Sequence, residues 1–174
     1  MADYYPYVIA SLPMLQFGMK PPFSFGRFLE LCHGFIPEKD FRLLCALPQP
    51  EHYQVEGERP GIIRKWIKFD TALRNELVRV RAGRKHREAA EYLRPGGSIA
   101  PADVAAGMHA SLLEAEMAID RMRWNALEGL AAGHYFDLDS LVTYAYRLLI
   151  LHRWENVRNA VPRALLEQAL QHSR

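Results

Sequence analysis

Histidines close to carboxylates are the residues of this chain best suited to metal binding or acid–base catalysis. His109 is followed by Glu116 and Asp120, which lie four residues apart and therefore share one helix face. A carboxylate-bridged di-metal centre in a helical bundle also needs a Glu-x-x-His pair on each of two helices, and the sequence does not supply two. We expect an ion-paired or solvated face instead, with Asp120 placed to contact Arg123 or Trp124.

A second group of this type lies at His134, which is followed by Asp137 and Asp139. A histidine and two aspartates could hold a metal ion or exchange a proton. The segment falls between two predicted helices, however, and an aspartate just before a helix is an ordinary N-cap. We therefore expect Asp137 or Asp139 to cap the next helix.

Nucleophilic and nucleotide-binding motifs are not found. No serine lies in a Gly-x-Ser-x-Gly context, and Cys32 and His33 are adjacent, so they diverge on a helix and cannot form a dyad. The glycine-rich run at residues 94–98 lacks the Lys-Ser/Thr end of a phosphate-binding loop. The sequence thus predicts a protein that is not an enzyme, with no cofactor, no metal and no small-molecule substrate.

Charge is distributed unevenly along a chain whose 174 residues carry a net charge of only +2. Residues 1–58 have 4 basic and 7 acidic residues, residues 59–94 have 11 and 4, and residues 95–174 have 7 and 9. The basic segment is a solvated face, a contact for an acidic protein or a contact for nucleic acid. Its candidate partner-binding residues are Arg64, Lys65, Lys68, Arg79, Arg81, Arg84, Lys85 and Arg87.

Apolar periodicity predicts the helices that carry these side chains. Apolar residues recur every three or four positions from residue 62 to 80 and from residue 104 to 130, which indicates two long amphipathic helices. Shorter helices are predicted at 24–32, from Pro37 to 47, from about 138 to 156, and from Pro162 onward. The basic helix is expected to weaken at Gly83 and continue to residue 93, and residues 4–13 are a short strand or a short helix.

The fold class that follows is all-α, a bundle of about six helices with two long antiparallel ones. We expect a single helical domain over residues 1–174, or two lobes divided into an N-terminal hairpin at 1–58 and a long-helix bundle at 59–174. Cys32 and Cys45 are expected to be buried, reduced thiols, with a disulfide only if their segments pair closely. Without a charged leader, and with only 11 residues in the apolar run 141–151, we expect a cytoplasmic protein that does not insert into a membrane.

Several stretches resemble a known family. Tyr4 and Tyr5 are followed by Val-Ile-Ala-Ser-Leu-Pro at residues 8–13. Further stretches are Leu-Leu-Glu-Ala-Glu-Met-Ala-Ile-Asp-Arg-Met-Arg-Trp at 112–124, Gly-His-Tyr-Phe-Asp-Leu-Asp-Ser-Leu at 133–141 and Leu-Ile-Leu-His-Arg-Trp at 149–154. Together they resemble a bacterial protein family encoded in V-type (A-type) ATPase operons, which is distantly similar to the C subunit of these rotary ATPases.

The resemblance implies an all-helical, non-catalytic adaptor or assembly protein, since the C subunit couples the central stalk to the membrane rotor ring. The implied partners are therefore V-type ATPase subunits, and the implied location is the cytoplasm or the inner face of the membrane. A C subunit is about twice as long and has three helical lobes, whereas this chain has room for one or two. Two alternatives remain: a nucleic-acid-binding helical protein that uses residues 59–94, and a metal-dependent helical enzyme that uses His109, Glu116, Asp120 or His134.

Overall fold

The computed structural model describes residues 4–47, 60–86, 88–95 and 111–171. These ranges contain six α-helices, one short 3-10 helix and no strand. The α-helices are α1 (Pro6–Ser11), α2 (Phe25–Cys32), α3 (Glu38–Cys45), α4 (Gly61–Arg84), α5 (Leu112–Ala131) and α6 (Leu138–Gln171), and the 3-10 helix is Ala90–Tyr92. The prediction of an all-α fold with about six helices is confirmed for this part of the chain.

Three helices begin at a side-chain cap. Ser24 accepts a backbone N–H bond at the start of α2, and Ser111 and Glu114 form a reciprocal capping box at the start of α5. At the start of α6, Asp137 Oδ1 accepts a hydrogen bond from the backbone N–H of Ser140 at 3.0 Å. The capping roles predicted for Ser24 and for an aspartate before α6 are confirmed.

The proline-interrupted segment near the N-terminus is helical. Pro6 occupies the first turn of α1, where its missing N–H needs no partner within the helix. The helix ends at Ser11, two residues before Pro13. Of the two structures that the sequence left open for residues 4–13, the short helix is therefore the one that forms.

Three predicted helix boundaries are wrong. The second long helix, predicted from residue 104, begins at Leu112, because Ser111 is its N-cap and has a non-helical ψ of 160°. The basic helix ends at Arg84 and not at residue 93, because Gly83 weakens it and His86 then takes a positive φ of 50°. No new helix starts at Pro162, since α6 runs from Leu138 to Gln171 without a break. An internal proline removes its own N–H bond to the preceding turn, and here the helix continues on both sides of it.

By packing, the backbone divides into two compact units. The terminal unit consists of residues 1–46 and 134–174, and the central unit consists of residues 47–133. The terminal unit has 9 basic and 8 acidic residues and the central unit 13 and 12, so each carries a formal net charge of +1. The boundary predicted after residue 58 falls within residues 48–59, outside the described ranges, and stays a prediction.

In the terminal unit, α6 packs against both α2 and α3. Phe28, Leu44, Leu148 and other apolar side chains are fully buried there. The Phe28 ring stacks on Tyr144 with the ring centroids 5.5 Å apart. This core is apolar and aromatic, and its stability comes from the surface that it removes from water.

Helix α6 also holds the irregular segment that joins α1 to α2. The Tyr144 hydroxyl donates to the Pro13 carbonyl at 3.0 Å, and His152 Nε2 donates to the Phe23 carbonyl at 2.9 Å. Side-chain donors on α6 thus satisfy carbonyls of a segment that has no regular backbone ladder. Burial raises the pKa of Tyr144 to about 12, so its hydroxyl stays protonated as a donor at neutral pH.

In the central unit, α4 packs against α5. Leu73 and Leu77 of α4 form a buried cluster with Ile119 of α5, and Phe69 and Met122 pack against it. Ion pairs join residue 70 to residue 123 and residue 81 to residue 116. Residue numbers therefore rise along α4 where those of their partners fall along α5. The predicted pair of long helices is therefore antiparallel.

The two cysteines differ from each other in environment. Both thiols are free; Cys32 is buried and Cys45 is exposed. The prediction of a buried thiol is confirmed for Cys32 and wrong for Cys45, which lies on the solvent side of α3. Burial, together with the nearby Cys45, raises the pKa of Cys32 to about 12, so this thiol remains protonated.

None of the described helices combines the length and the apolar character needed to cross a membrane.

Candidate functional site

A cluster of buried charges links the two helices of the central unit. Arg123 of α5 lies between two carboxylates: its Nε donates to Asp70 Oδ1 at 2.7 Å and its Nη1 donates to Asp120 Oδ1 at 2.7 Å. Arg74 Nε donates to the second oxygen of Asp70 at 2.8 Å. We call Asp70, Arg74, Asp120 and Arg123 the central ion cluster. It confirms the predicted contact of Asp120 with Arg123, but the face is buried and not solvated.

Burial and ion pairing shift the pKa values of Asp70 and Arg123 in opposite directions. Burial alone would raise the pKa of Asp70, but the Arg123 charge and the hydrogen bonds from Arg74 and Arg123 hold that pKa below its ordinary value. Burial alone would likewise lower the pKa of Arg123, and Asp70 and Asp120 raise it above its ordinary value. Asp70 and Arg123 are therefore both charged at neutral pH.

The chemistry of the cluster suits positioning better than catalysis. Both oxygens of Asp70 accept hydrogen bonds from arginines, and the side chain is only 1% exposed. A carboxylate that is held ionised and fully bonded is a poor general base. A buried ion pair between two helices does, however, penalise every register in which one charge would lose its partner. The central ion cluster thus fixes the pairing of α4 with α5.

A second polar contact fastens the chain beyond α4 to that helix. The amide of Asn75 donates to the Arg94 carbonyl at 2.8 Å and accepts from the Arg94 N–H at 2.9 Å. Asn75 is itself buried. One side chain thus satisfies both backbone groups of a residue in an irregular segment, which holds residues 88–95 against α4.

The predicted partner-binding residues fall into two groups at opposite ends of α4. Arg64, Lys65 and Lys68 lie in its first turns, are exposed, and make no ion pair with another described residue. The second group begins at Arg79, eleven residues after Lys68, which is about 16 Å further along the helix. The seven of these residues that the structure describes therefore do not form one continuous patch.

The second group is partly used within the central unit. Arg79 Nη1 pairs with the buried Glu76 at 2.9 Å, and Arg81 Nη2 lies 3.6 Å from Glu116 Oε1 of α5. Arg84 and Lys85 are exposed at the end of the helix. Arg87 lies outside the described residues. Much of the positive charge at this end of α4 is thus balanced by the unit itself.

The turn before α6 brings the histidine and its two aspartates together. His134 Nδ1 donates to Asp137 Oδ2 at 2.6 Å, and His134 Nε2 lies 3.7 Å from Asp139 Oδ2. Burial alone would raise the pKa of Asp137, but the hydrogen bonds from His134 and Ser140 lower it. Asp137 is thus both the helix cap and the anchor of the histidine ring.

Candidate metal ligands are spread over separate pairs. Glu116 pairs with Arg81, Asp120 with Arg123 and His134 with Asp137, while His109 lies outside the described residues. Within residues 4–47, 60–86, 88–95 and 111–171, no group of three or more His, Cys, Asp or Glu side chains could hold a metal ion. The described candidates are thus occupied with ion pairs and capping.

Asp70 is the central residue that the sequence analysis did not single out. A signal was nonetheless present. Asp70 comes four residues after Trp66 and three before Leu73, so around the helix axis it lies about 40° from Trp66 and about 60° from Leu73. A carboxylate within an apolar stripe, with Arg74 one turn later, indicates a buried ion pair. That its main partner is Arg123, 53 residues away, follows only from the packing of α5.

Comparison with known proteins gave no relative from which a role for these residues could be taken: no family model matches this chain, and no significant match was found among curated proteins or solved structures.

Proposed function

We propose that this chain is a non-catalytic helical adaptor or assembly subunit of a V-type (A-type) ATPase. The observation that supports it is the group formed by Arg64, Lys65 and Lys68, which we call the α4 basic surface. These exposed side chains are balanced by no other described residue. The wider fold also suits an adaptor, because the buried charges of the central unit hold its helices together while Arg64, Lys65 and Lys68 stay exposed.

The position of the α4 basic surface on its helix strengthens its positive potential. The first turn of α4 contains no acidic residue, and no side chain caps it. The N-terminal end of a helix carries a partial positive charge that falls off within the first turn, so Arg64, the fourth residue of α4, is placed against the helix dipole. The unfavourable placement is relieved when a negatively charged surface covers it. The partner that fits is an acidic helix or loop on a stalk subunit of the ATPase.

Co-purification with the ATPase tests the proposal. The tagged wild-type chain should recover V-type ATPase subunits from detergent-solubilised native membranes. A triple variant, Arg64→Gln with Lys65→Gln and Lys68→Gln, should recover markedly fewer. The matched control is Arg27→Gln with Lys39→Gln and Arg42→Gln, which removes the same charge from exposed positions of α2 and α3 and should behave as wild type.

Two outcomes would contradict the proposal in different ways. Recovery of no ATPase subunit by the wild-type chain would overturn the assigned complex. Equal recovery by the triple variant and the wild type would mean that the chain binds the ATPase without using the α4 basic surface. Circular dichroism of each variant checks that its helices are intact.

Nucleic acid is the second candidate partner, because phosphates would suit the same three cations. In that case the wild-type chain should bind duplex or single-stranded nucleic acid at low salt. Affinity should fall steeply as salt rises, since phosphate contacts release counterions. No binding at low salt eliminates this alternative.

A further inference from the structure

The terminal unit exposes a group of aromatic side chains at one place. Tyr7 is 86% exposed, Tyr135 73%, Tyr4 70% and Phe136 44%. The backbone N–H of Tyr5 donates to the carbonyl of Phe136, so the segment that carries Tyr4 and Tyr7 adjoins the turn that carries Tyr135 and Phe136. We call Tyr4, Tyr7, Tyr135 and Phe136 the aromatic surface. Scattered apolar residues on a surface are ordinary, but four exposed rings on two adjoining segments are typical of an interaction site.

The frame beneath the aromatic surface is fixed by buried neighbours. Tyr5 is buried and its hydroxyl donates to Asp40 of α3, and Val8 of α1 is buried as well. On the other side, Asp137 caps α6 and binds His134. The exposed rings thus project from anchored backbone and would lose little conformational freedom on binding a partner.

The charges around the aromatic surface are mainly negative. Asp40 accepts a hydrogen bond from the Tyr5 hydroxyl, and Asp137 and Asp139 lie one and three residues after Phe136 in the chain. The basic neighbours are Lys39, next to Asp40, and His134, which lies between the two aspartates. Aromatic faces attract cations, and carboxylates at the edge of the surface attract them as well. The long stems of Lys and Arg can also lie along the rings while their charged ends reach the carboxylates.

We infer that the aromatic surface is a docking site for a basic amphipathic segment of another protein, one in which Lys or Arg alternates with apolar side chains at helical spacing. This site lies in the terminal unit, and its charge preference is opposite to that of the α4 basic surface. The inference therefore stands whether or not an ATPase subunit binds α4. Tyr7 and Tyr135, the most exposed rings, are the expected anchors.

Nuclear magnetic resonance titration of the full chain tests this inference with two probe peptides. One carries Lys, Arg and Leu at helical spacing, and the other has Glu in place of each cation. The basic probe should shift the amide resonances of Tyr4, Tyr5 and Tyr7 and of residues 134–139, while the acidic probe should not. The double variant Tyr7→Ser with Tyr135→Ser should bind the basic probe ~10-fold more weakly, since truncated aromatic anchors carry much of the affinity of such sites.

The matched control is Tyr92→Ser, which removes a tyrosine of the central unit that is 60% exposed and should leave the affinity unchanged. No binding of the basic probe, shifts confined to other residues, or equal affinity of the double variant would each overturn the inference. So would equal binding of the acidic probe. The same resonances could instead shift with protein concentration in the absence of peptide. If that shift is lost in the double variant, a second copy of the chain occupies the site instead.

Discussion

The terminal and central units differ in what they bury and in what they expose. Among the described side chains, the central unit buries the carboxylates of Asp70, Glu76 and Asp120, whereas Thr143 is the only buried polar residue of the terminal unit. Conversely, seven of the ten exposed large apolar side chains belong to the terminal unit. The buried charges of the central unit thus hold its own helices together, whereas the terminal unit exposes apolar side chains to solvent.

This difference changes how the basic segment should be interpreted. Residues 59–94 carry seven more basic than acidic residues, yet the whole central unit is only +1. Partners such as Asp120 and Glu116 lie on α5, and they are brought to α4 by packing. A charge excess along the chain therefore overstates the charge available to a partner. Only Arg64, Lys65 and Lys68 remain as a compact group without a described ion pair.

The largest effect is expected from Arg123→Met. Removing the guanidinium takes the Arg123 partner from Asp120 and leaves Asp70 paired with Arg74; both carboxylates are buried. A buried pair broken on one side costs about 3–5 kcal/mol. Urea unfolding should show a loss of that size, while Arg64→Met, at an exposed position, should change stability by less than about 0.5 kcal/mol. Equal effects of the two substitutions would erase the proposed difference between buried and exposed charge.

Acid should weaken the central unit before the terminal unit. The pKa of Asp70 is lower in the folded chain than in the unfolded chain, since its arginine partners outweigh the effect of burial. Its contribution is therefore complete above about pH 4 and is lost as the pH falls through the folded pKa. Hydrogen exchange should show α4 and α5 losing protection first on acidification. In Asp70→Asn the stability of α4 and α5 should depend less steeply on pH. An unchanged slope would assign their acid sensitivity to other groups such as Glu114.

Asn75→Ala should have an intermediate effect. The substitution leaves the N–H and the carbonyl of Arg94 without the side-chain partner that now binds both. A loss of about 1–3 kcal/mol is expected, together with faster hydrogen exchange and proteolysis within residues 88–95. Glu91→Ala, at an exposed position in the same segment, is the control. Unchanged proteolysis in Asn75→Ala would mean that other contacts hold this segment.

The smallest effect is expected in the terminal unit from Tyr144→Phe. This change removes one hydrogen bond to the Pro13 carbonyl but keeps the ring stacked on Phe28. Because the core there is apolar, the loss should be about 1 kcal/mol, typical of a single hydrogen bond. A loss as large as that of Arg123→Met would show that the terminal unit also depends on its polar contacts.

The sequence predicted much of the fold but less of the site. Ser24, Pro37 and the apolar stripe from residue 62 to 80 indicated α2, α3 and α4, because caps and periodicity are local properties. The contact of Asp120 with Arg123 was also predicted, since the two are three residues apart on one helix. Asp70 was not recognised, and neither was the junction of Tyr5 with Phe136. Both depend on residues that are far apart in the chain.

The amino-acid sequence alone determined the helical class, the capped starts of α2 and α6, and the local charge pairs, because each depends on residues within one or two turns. Tertiary structure decided which charges remain available. It placed Arg123 on Asp70 and Glu116 beside Arg81, whereas the α4 basic surface stays exposed without an ion pair to another described residue. It also placed the N-terminal tyrosines against the turn before α6, forming the aromatic surface. Long-range packing sets both surfaces, since burial and pairing depend on segments that meet only in the folded chain.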